Sequence, residues 1–89
     1  MSTPKNILTI AGAEWCGHCK NLQKDYETNK DAYEAANIEY NFVDCANDKG
    51  NEACEGVQGF PTLRNGCGDV QAGYRPFEDV IAFATQCNK

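Results

Sequence analysis

Two cysteines separated by two residues carry the strongest chemical signal in this sequence. Cys16 and Cys19 form a C-x-x-C motif, and His18, the one histidine of the chain, lies between them. A cysteine at a helix N-terminus faces unpaired backbone amides and the positive end of the helix dipole, and both favour the thiolate. A positive charge or hydrogen bond from His18 favours it further and makes the disulfide a stronger oxidant. The motif therefore predicts thiol–disulfide exchange.

A metal site or a structural bridge is the alternative interpretation of the same motif. Zinc sites use four ligands, so a site here would have to borrow Cys45 and Cys54, whose spacing matches no common zinc pattern. An iron–sulfur cluster shared between two copies of the chain is a further alternative. We predict no metal at Cys16 and Cys19, and both alternatives stay open at the sequence level.

The remaining four cysteines, Cys45, Cys54, Cys67 and Cys87, are spread singly along the chain. Each is most simply interpreted as a small buried apolar residue or an inert surface thiol. A Cys45–Cys54 bridge is the leading alternative, because both residues flank a polar loop that we expect near the active-site edge.

The elements that must position the motif can be predicted from hydrophobic patterns. Residues 6–11 form a short apolar strand, and 16–36 show apolar residues at helical spacing, with Tyr26 and Tyr33 as core residues. Asn37 ends this helix, and 38–43 alternate as a second strand. A helix between two strands predicts a right-handed crossover between parallel strands.

The second half of the chain predicts a hairpin and a final helix. Residues 47–56 are loop-like, with at most a short helix through 52–54. Strands 61–64 and 70–74 flank a glycine-containing turn, and Pro76 suits the first position of a helix with Phe77, Val80, Ala84 and Cys87 on its apolar face. The predicted order is strand, helix, strand, loop, strand, strand, helix, in one domain over 1–89.

A proline motif follows the loop, in the segment Val57-Gln58-Gly59-Phe60-Pro61-Thr62. Together with Trp15-Cys16-Gly17-His18-Cys19-Lys20, it resembles the thioredoxin superfamily, and the cysteine motif is similar to that of protein disulfide isomerase domains. The resemblance implies an α/β thioredoxin-like fold of minimal, glutaredoxin-like size. Its centre is a four-stranded mixed sheet flanked by helices.

The resemblance also implies roles for residues around the cysteines. Cys16 is the nucleophile, Cys19 resolves the mixed disulfide, and His18 makes the disulfide of the two cysteines a stronger oxidant. Pro61 is expected to be cis, and backbone groups of its neighbours hold the substrate peptide. The implied substrate-binding residues are Trp15, Gly17, Phe60, Pro61 and Thr62. Lys20 is either a solvated helix residue or a charge that supports the thiolate.

Three positions depart from the family pattern. Ile10 stands where the family keeps a buried acid, and Tyr40 stands where that acid has a lysine partner. Resolution by Cys19 is therefore expected to rely on water, His18 or Asp44. Lys24 replaces a proline that bends the family's first helix, so we expect a straighter helix.

The predicted function is reduction of protein disulfides, with ribonucleotide reductase as one expected substrate. Disulfide oxidation or isomerisation is the alternative, and a non-catalytic metal- or peptide-binding module is another. No bound cofactor is expected beyond the Cys16–Cys19 disulfide, and electrons come from a thioredoxin reductase or glutathione.

Composition narrows the remaining possibilities. The 89 residues suffice for one core, and 8 basic against 13 acidic residues give a net charge of −5, which disfavours nucleic acid as a partner. No apolar run is long enough to cross a bilayer, and neither a signal peptide nor a retention signal is evident. We expect a cytoplasmic monomer without membrane association.

Overall fold

A mixed sheet organises the part of the chain that the computed structural model describes, residues 5–48 and 50–86. Its four strands are β1 (Asn6–Gly12), β2 (Ile38–Asp44), β3 (Thr62–Asn65) and β4 (Val70–Ala72), in the order β2-β1-β3-β4. β1 pairs in parallel with β2 and antiparallel with β3, and β3 pairs antiparallel with β4. The predicted four-stranded mixed sheet is confirmed, as are the parallel first pair and the later hairpin.

Three α-helices and one short turn of helix complete the described residues. They are α1 (Gly17–Thr28), α2 (Lys30–Ala35), α3 (Phe77–Thr85) and a 3₁₀ turn at Glu52–Cys54, which lies within the predicted loop. Pro76 directly precedes α3 instead of occupying its first position. Within the described residues, no helix has the length and apolar character needed to span a membrane.

The predicted continuous helix over 16–36 is wrong, because the chain leaves helical geometry at Asn29 (φ −117°, ψ 28°). The Asn29 side chain donates to the Asp25 carbonyl at 2.8 Å, and its backbone N–H also bonds to this carbonyl at 3.0 Å. A short amide side chain that takes a backbone acceptor competes with helix continuation. The interruption lies beyond Lys24, through which α1 continues, so the expectation of a straighter helix at Lys24 stays a prediction. Asn37 ends α2 as predicted, with φ +57°.

The core lies between one face of the sheet and all three helices. Leu8, Ile10 and Leu63 from the sheet are fully buried and belong to one cluster with Leu22, Tyr33, Val80, Phe83 and Ala84. Tyr26 packs against the same cluster, so the prediction of Tyr26 and Tyr33 as core residues is confirmed. Phe83 was not predicted, and Cys87 lies outside the described residues.

Candidate active site

Cys16 lies at the junction between β1 and α1. It is the N-cap of α1 in extended backbone geometry (φ −79°, ψ 118°), and its Sγ accepts the backbone N–H of Cys19 at 3.3 Å. An N–H donor and the helix N-terminus both stabilise negative charge on this sulfur. The structure therefore gives Cys16 the environment of a nucleophilic thiolate.

Cys19 lies behind Cys16, one turn into the helix. Both are free thiols, with Cys16 8% and Cys19 1% exposed. Burial, followed by the side-chain hydrogen bond with Cys16, raises the pKa of Cys19 to about 12. Cys19 therefore keeps its proton at neutral pH, which suits a second thiol that reacts after Cys16.

The proline motif packs beside the two cysteines. The Phe60–Pro61 peptide bond is cis, and Phe60 contacts the small buried cluster of Ala13, Cys16 and Cys19. Trp15, 70% exposed, meets the Phe60 ring edge-on with centroids 5.8 Å apart. The structure thus brings an exposed aromatic surface next to Cys16.

Two of the implied substrate-binding residues have limited side-chain roles. The Thr62 hydroxyl donates to the Gly59 carbonyl at 2.8 Å within the same segment, and Thr62 is buried. Gly17 is the first residue of α1 and has open space around its Cα. The backbone around Pro61 is therefore the part of this segment that can bind a substrate, because the Thr62 hydroxyl already donates to the Gly59 carbonyl.

His18 is exposed on the first turn of α1 and lies against Tyr74. The two rings are roughly parallel, with centroids 6.2 Å apart and an interplanar angle of 25°. The Tyr74 hydroxyl donates to the Asp25 carboxylate at 2.6 Å. Sequence reasoning missed this contact, because Tyr74 follows β4 and no local pattern links it to α1.

A groove of about 300 Å³ borders Cys19, lined by Ala13, Glu14, Cys19, Lys20, Gln23 and Phe42. Glu14 and Lys20 are its charged residues, so Lys20 lies on this groove beside Cys19. His18 and Asp44, the proton acceptors considered from the sequence, do not line it. The Asp44 carboxylate accepts the Ala46 N–H at 3.1 Å and the Asn47 amide at 2.6 Å.

A neutral pair occupies the region where the family keeps its acid and lysine. Ile10 is fully buried, and the Tyr40 hydroxyl donates to Gln23 Oε1 at 3.1 Å. Burial is the main cause that raises the pKa of Tyr40, followed by the neighbouring Tyr33 and Tyr26. Tyr40 thus stays neutral near Cys19 and holds Gln23 at the wall of the groove.

The interpretation of Cys45 and Cys54 as lone thiols is wrong, and the alternative bridge is confirmed. The two residues form a disulfide across a sequence separation of 9. The Cys45 N–H donates to the Gly12 carbonyl at 2.8 Å, which attaches the bridge to the end of β1. A zinc site that borrows these two thiols is therefore excluded.

Of the other two cysteines, only Cys67 lies in the part of the chain that the structure describes. Cys67 is also disulfide-bonded, so its interpretation as a lone thiol is wrong, and Cys87 lies outside the described residues. Across 5–48 and 50–86, no three or more His, Cys, Asp or Glu residues are grouped so that they could hold a metal ion.

The sheet order, the helix capped by Cys16 and the proline segment beside the two cysteines define a thioredoxin-fold domain. Residues 2–86 match the sequence profile of the family described as Thioredoxin. The chain belongs to the thioredoxin family.

Curated relatives with similar sequences are protein disulfide-isomerases. The chain is 42% identical over 58 residues to "Protein disulfide-isomerase" of Aspergillus niger, covering 65% of this chain and 11% of that protein. It is 33% identical over 95 residues to "Probable protein disulfide-isomerase A6" of Medicago sativa, covering 92% of this chain and 24% of that protein. The chain therefore spans at most about a quarter of the length of these relatives.

A solved structure gives the same result at the level of the fold. The first two thioredoxin domains of Saccharomyces cerevisiae Eps1p match with a TM-score of 0.58 and 25% identity. The match covers 88% of this chain and 33% of that chain.

Proposed function

We propose that this domain is a thiol–disulfide oxidoreductase that acts on disulfides of protein substrates. The observation that carries the proposal is the arrangement of the two free thiols. Cys16 caps α1 with its Sγ on the Cys19 N–H at 3.3 Å, and the protonated Cys19 is buried directly behind it. Cys16 is thereby positioned to attack a substrate disulfide, and Cys19 stays protonated until the second step.

The reaction proceeds through two exchanges of sulfur bonds. The Cys16 thiolate attacks one sulfur of a substrate disulfide, so a Cys16–substrate bond forms and the other substrate sulfur leaves as a thiolate. Cys19 then loses its proton and attacks Cys16 Sγ, which releases the second substrate sulfur. The substrate gains two electrons, and Cys16 and Cys19 are left as a disulfide. The reverse path oxidises a substrate dithiol.

Glu14 is the proposed proton acceptor for Cys19. Its side chain lines the groove that Cys19 borders, and Ile10 offers no acid on the buried side. A water molecule in the groove can carry the proton from the Cys19 thiol to the Glu14 carboxylate. Lys20, on the same groove, stabilises the negative charge that forms there.

The proposed substrate surface is the aromatic region beside Cys16. Trp15 and Phe60 offer apolar area, and the chain around Pro61 offers backbone groups for an extended peptide. This arrangement supports a polypeptide substrate over a small disulfide.

Reduction is the direction we propose first, with ribonucleotide reductase as a predicted substrate and the cytoplasm as a predicted location. Oxidation or isomerisation is the second candidate. His18 between the cysteines and the protein disulfide-isomerase names of the relatives favour this second direction.

The test is the reduction potential of the Cys16–Cys19 pair, measured in graded glutathione buffers by counting alkylated thiols by mass spectrometry. A value of about −270 mV indicates a reductase, and a value of about −180 mV indicates an isomerase. Cys16→Ser and Cys19→Ser must each abolish the transition, whereas the Cys45→Ala/Cys54→Ala double variant must keep it. A pair that never titrates in the unmodified protein would overturn the proposed function.

A further inference from the structure

We propose that Tyr74 is a positioning residue for His18 and thereby shifts the equilibrium between the dithiol and disulfide forms of Cys16 and Cys19. This inference rests on the proposed function and adds a residue outside the two motifs. Tyr74 does not touch the reacting sulfurs, and its effect passes through the imidazole of His18.

The ring contact restricts a side chain that would otherwise have several conformations. His18 is exposed at the start of α1, where a free imidazole populates several rotamers. The Tyr74 ring lies 6.2 Å from it, centroid to centroid, at an interplanar angle of 25°. This distance is within the range of favourable aromatic contacts, so the contact selects the His18 rotamers that lie against Tyr74.

Tyr74 is itself fixed at two places. Its hydroxyl donates to Asp25 Oδ2 at 2.6 Å, and Asp25 lies about two turns after His18 on α1. This hydrogen bond is the main cause that raises the pKa of Tyr74. The preceding residue, Gly73, donates its N–H to the Pro61 carbonyl at 2.8 Å. The hydroxyl of Tyr74 is therefore attached to α1, and the backbone just before Tyr74 is attached to the proline segment.

The position of the imidazole affects the two redox forms differently. Contact with Tyr74 holds the His18 ring beside the start of α1, where a positive charge or hydrogen bond from the imidazole acts on the motif. A positive charge next to the motif stabilises the Cys16 thiolate, which exists in the dithiol form and not in the disulfide. Tyr74 should therefore favour the dithiol form and make the disulfide more oxidising.

The experiment measures the equilibrium with glutathione, in which two glutathione thiols become one glutathione disulfide and the Cys16–Cys19 disulfide becomes two thiols. For Tyr74→Leu, we expect the equilibrium constant for this reduction to fall about threefold, roughly 14 mV. Tyr74→Phe keeps the ring and loses the bond to Asp25, so its fall should be smaller. Asp25→Ala should match Tyr74→Phe.

A double-mutant cycle separates positioning from a structural role. In a His18→Ala background, Tyr74→Leu should leave the equilibrium constant unchanged, even if it lowers the free energy of unfolding as it does in the unmodified background. An equal shift in both backgrounds, or no shift with His18 present, would overturn the inference while leaving the proposed function intact. A pair that does not titrate in the unmodified protein would overturn both.

Proton NMR gives a second readout that does not depend on the redox reaction. His18 is the one histidine of the chain, so its ring resonances can be assigned without ambiguity. We expect Tyr74→Leu to remove a ring-current shift from these resonances and Tyr74→Phe to keep most of it. Identical His18 resonances in the unmodified protein and in Tyr74→Leu would contradict the ring contact.

Discussion

The Sγ atom of Cys19 lies 2.7 Å from the point that a Cβ atom on Gly12 would occupy. A Phe42 ring atom lies 3.0 Å from the same point. The missing side chain at the end of β1 is therefore what allows Cys19 and Phe42 to pack against this strand. No sequence pattern indicates this close approach, so the contact of Gly12 with the second thiol is a result of the structure.

Gly12→Ala should destabilise the fold and disturb the second thiol. The added methyl group cannot fit without movement of Cys19 or the Phe42 ring, and overpacking of this kind costs about 1–3 kcal/mol. Urea unfolding of the dithiol form should show this loss. Gly59→Ala is the control, since no heavy atom lies within 4 Å of its added Cβ. Equal unfolding free energies for Gly12→Ala and the unmodified protein would contradict the close packing.

Glu14→Gln should slow the second step of the exchange. The variant keeps the size of the side chain at the groove and removes the carboxylate that we propose as the proton acceptor for Cys19. In single-turnover, acid-quenched reactions, we expect the Cys16 mixed disulfide to decay about tenfold more slowly, while its formation is unchanged. Glu34→Gln, an exposed acid on α2, is the matched control. An unchanged decay rate for Glu14→Gln would assign the proton to water alone.

The residues that are close in sequence account for most of what could be predicted. The strand, the C-x-x-C motif and the helix that starts at Cys16 follow one another, so the helix N-terminus at Cys16 was predictable from local pattern alone. The β3–β4 hairpin was predictable for the same reason, because its turn is encoded by residues 65–69. The pairing of the proline motif with Cys16 came from a family resemblance.

Features that depend on distant contacts or on competing local hydrogen bonds were missed. The apolar spacing continues past Asn29, so periodicity could not show that its amide takes the Asp25 carbonyl. The contact of His18 with Tyr74 joins α1 to the segment after β4, which no periodicity records. The choice between free thiols and a bridge at Cys45 and Cys54 required the geometry of the loop between them.

Alkaline pH should reveal the buried state of Cys19. Its pKa is raised from 9.0 to about 12, mainly by burial. In the dithiol form, iodoacetamide should therefore modify Cys16 and spare Cys19 up to pH 9.0, as read by peptide mass spectrometry. Denatured protein is the control, in which both thiols should react. Modification of Cys19 at the rate of Cys16 in folded protein would contradict its protected environment.

The raised pKa of Cys19 also makes the free energy of unfolding depend on pH. Between pH 9.0 and about 12, Cys19 loses its proton in the unfolded chain and keeps it in the folded domain. The folded state then binds more protons, so the free energy of unfolding falls as the pH rises through this window, and the contribution is fully present below 9.0. Cys19→Ala should show a shallower fall in urea unfolding. Parallel pH dependences for the two proteins would contradict the raised pKa.

Removal of the Cys45–Cys54 disulfide should lower stability and leave the redox pair intact. The bridge closes a loop with a sequence separation of 9, for which the chain-entropy contribution is about 2–3 kcal/mol. We expect the Cys45→Ala/Cys54→Ala double variant to lose about this much free energy of unfolding in urea.

The Cys45 N–H bond to the Gly12 carbonyl is a backbone contact that the double substitution keeps, so the end of β1 should stay in place. The glutathione equilibrium constant of Cys16 and Cys19 should accordingly change by less than about twofold, or less than roughly 9 mV. A larger change would show that the bridge itself takes part in the chemistry of the motif, and unchanged stability would show that the loop is already ordered without it.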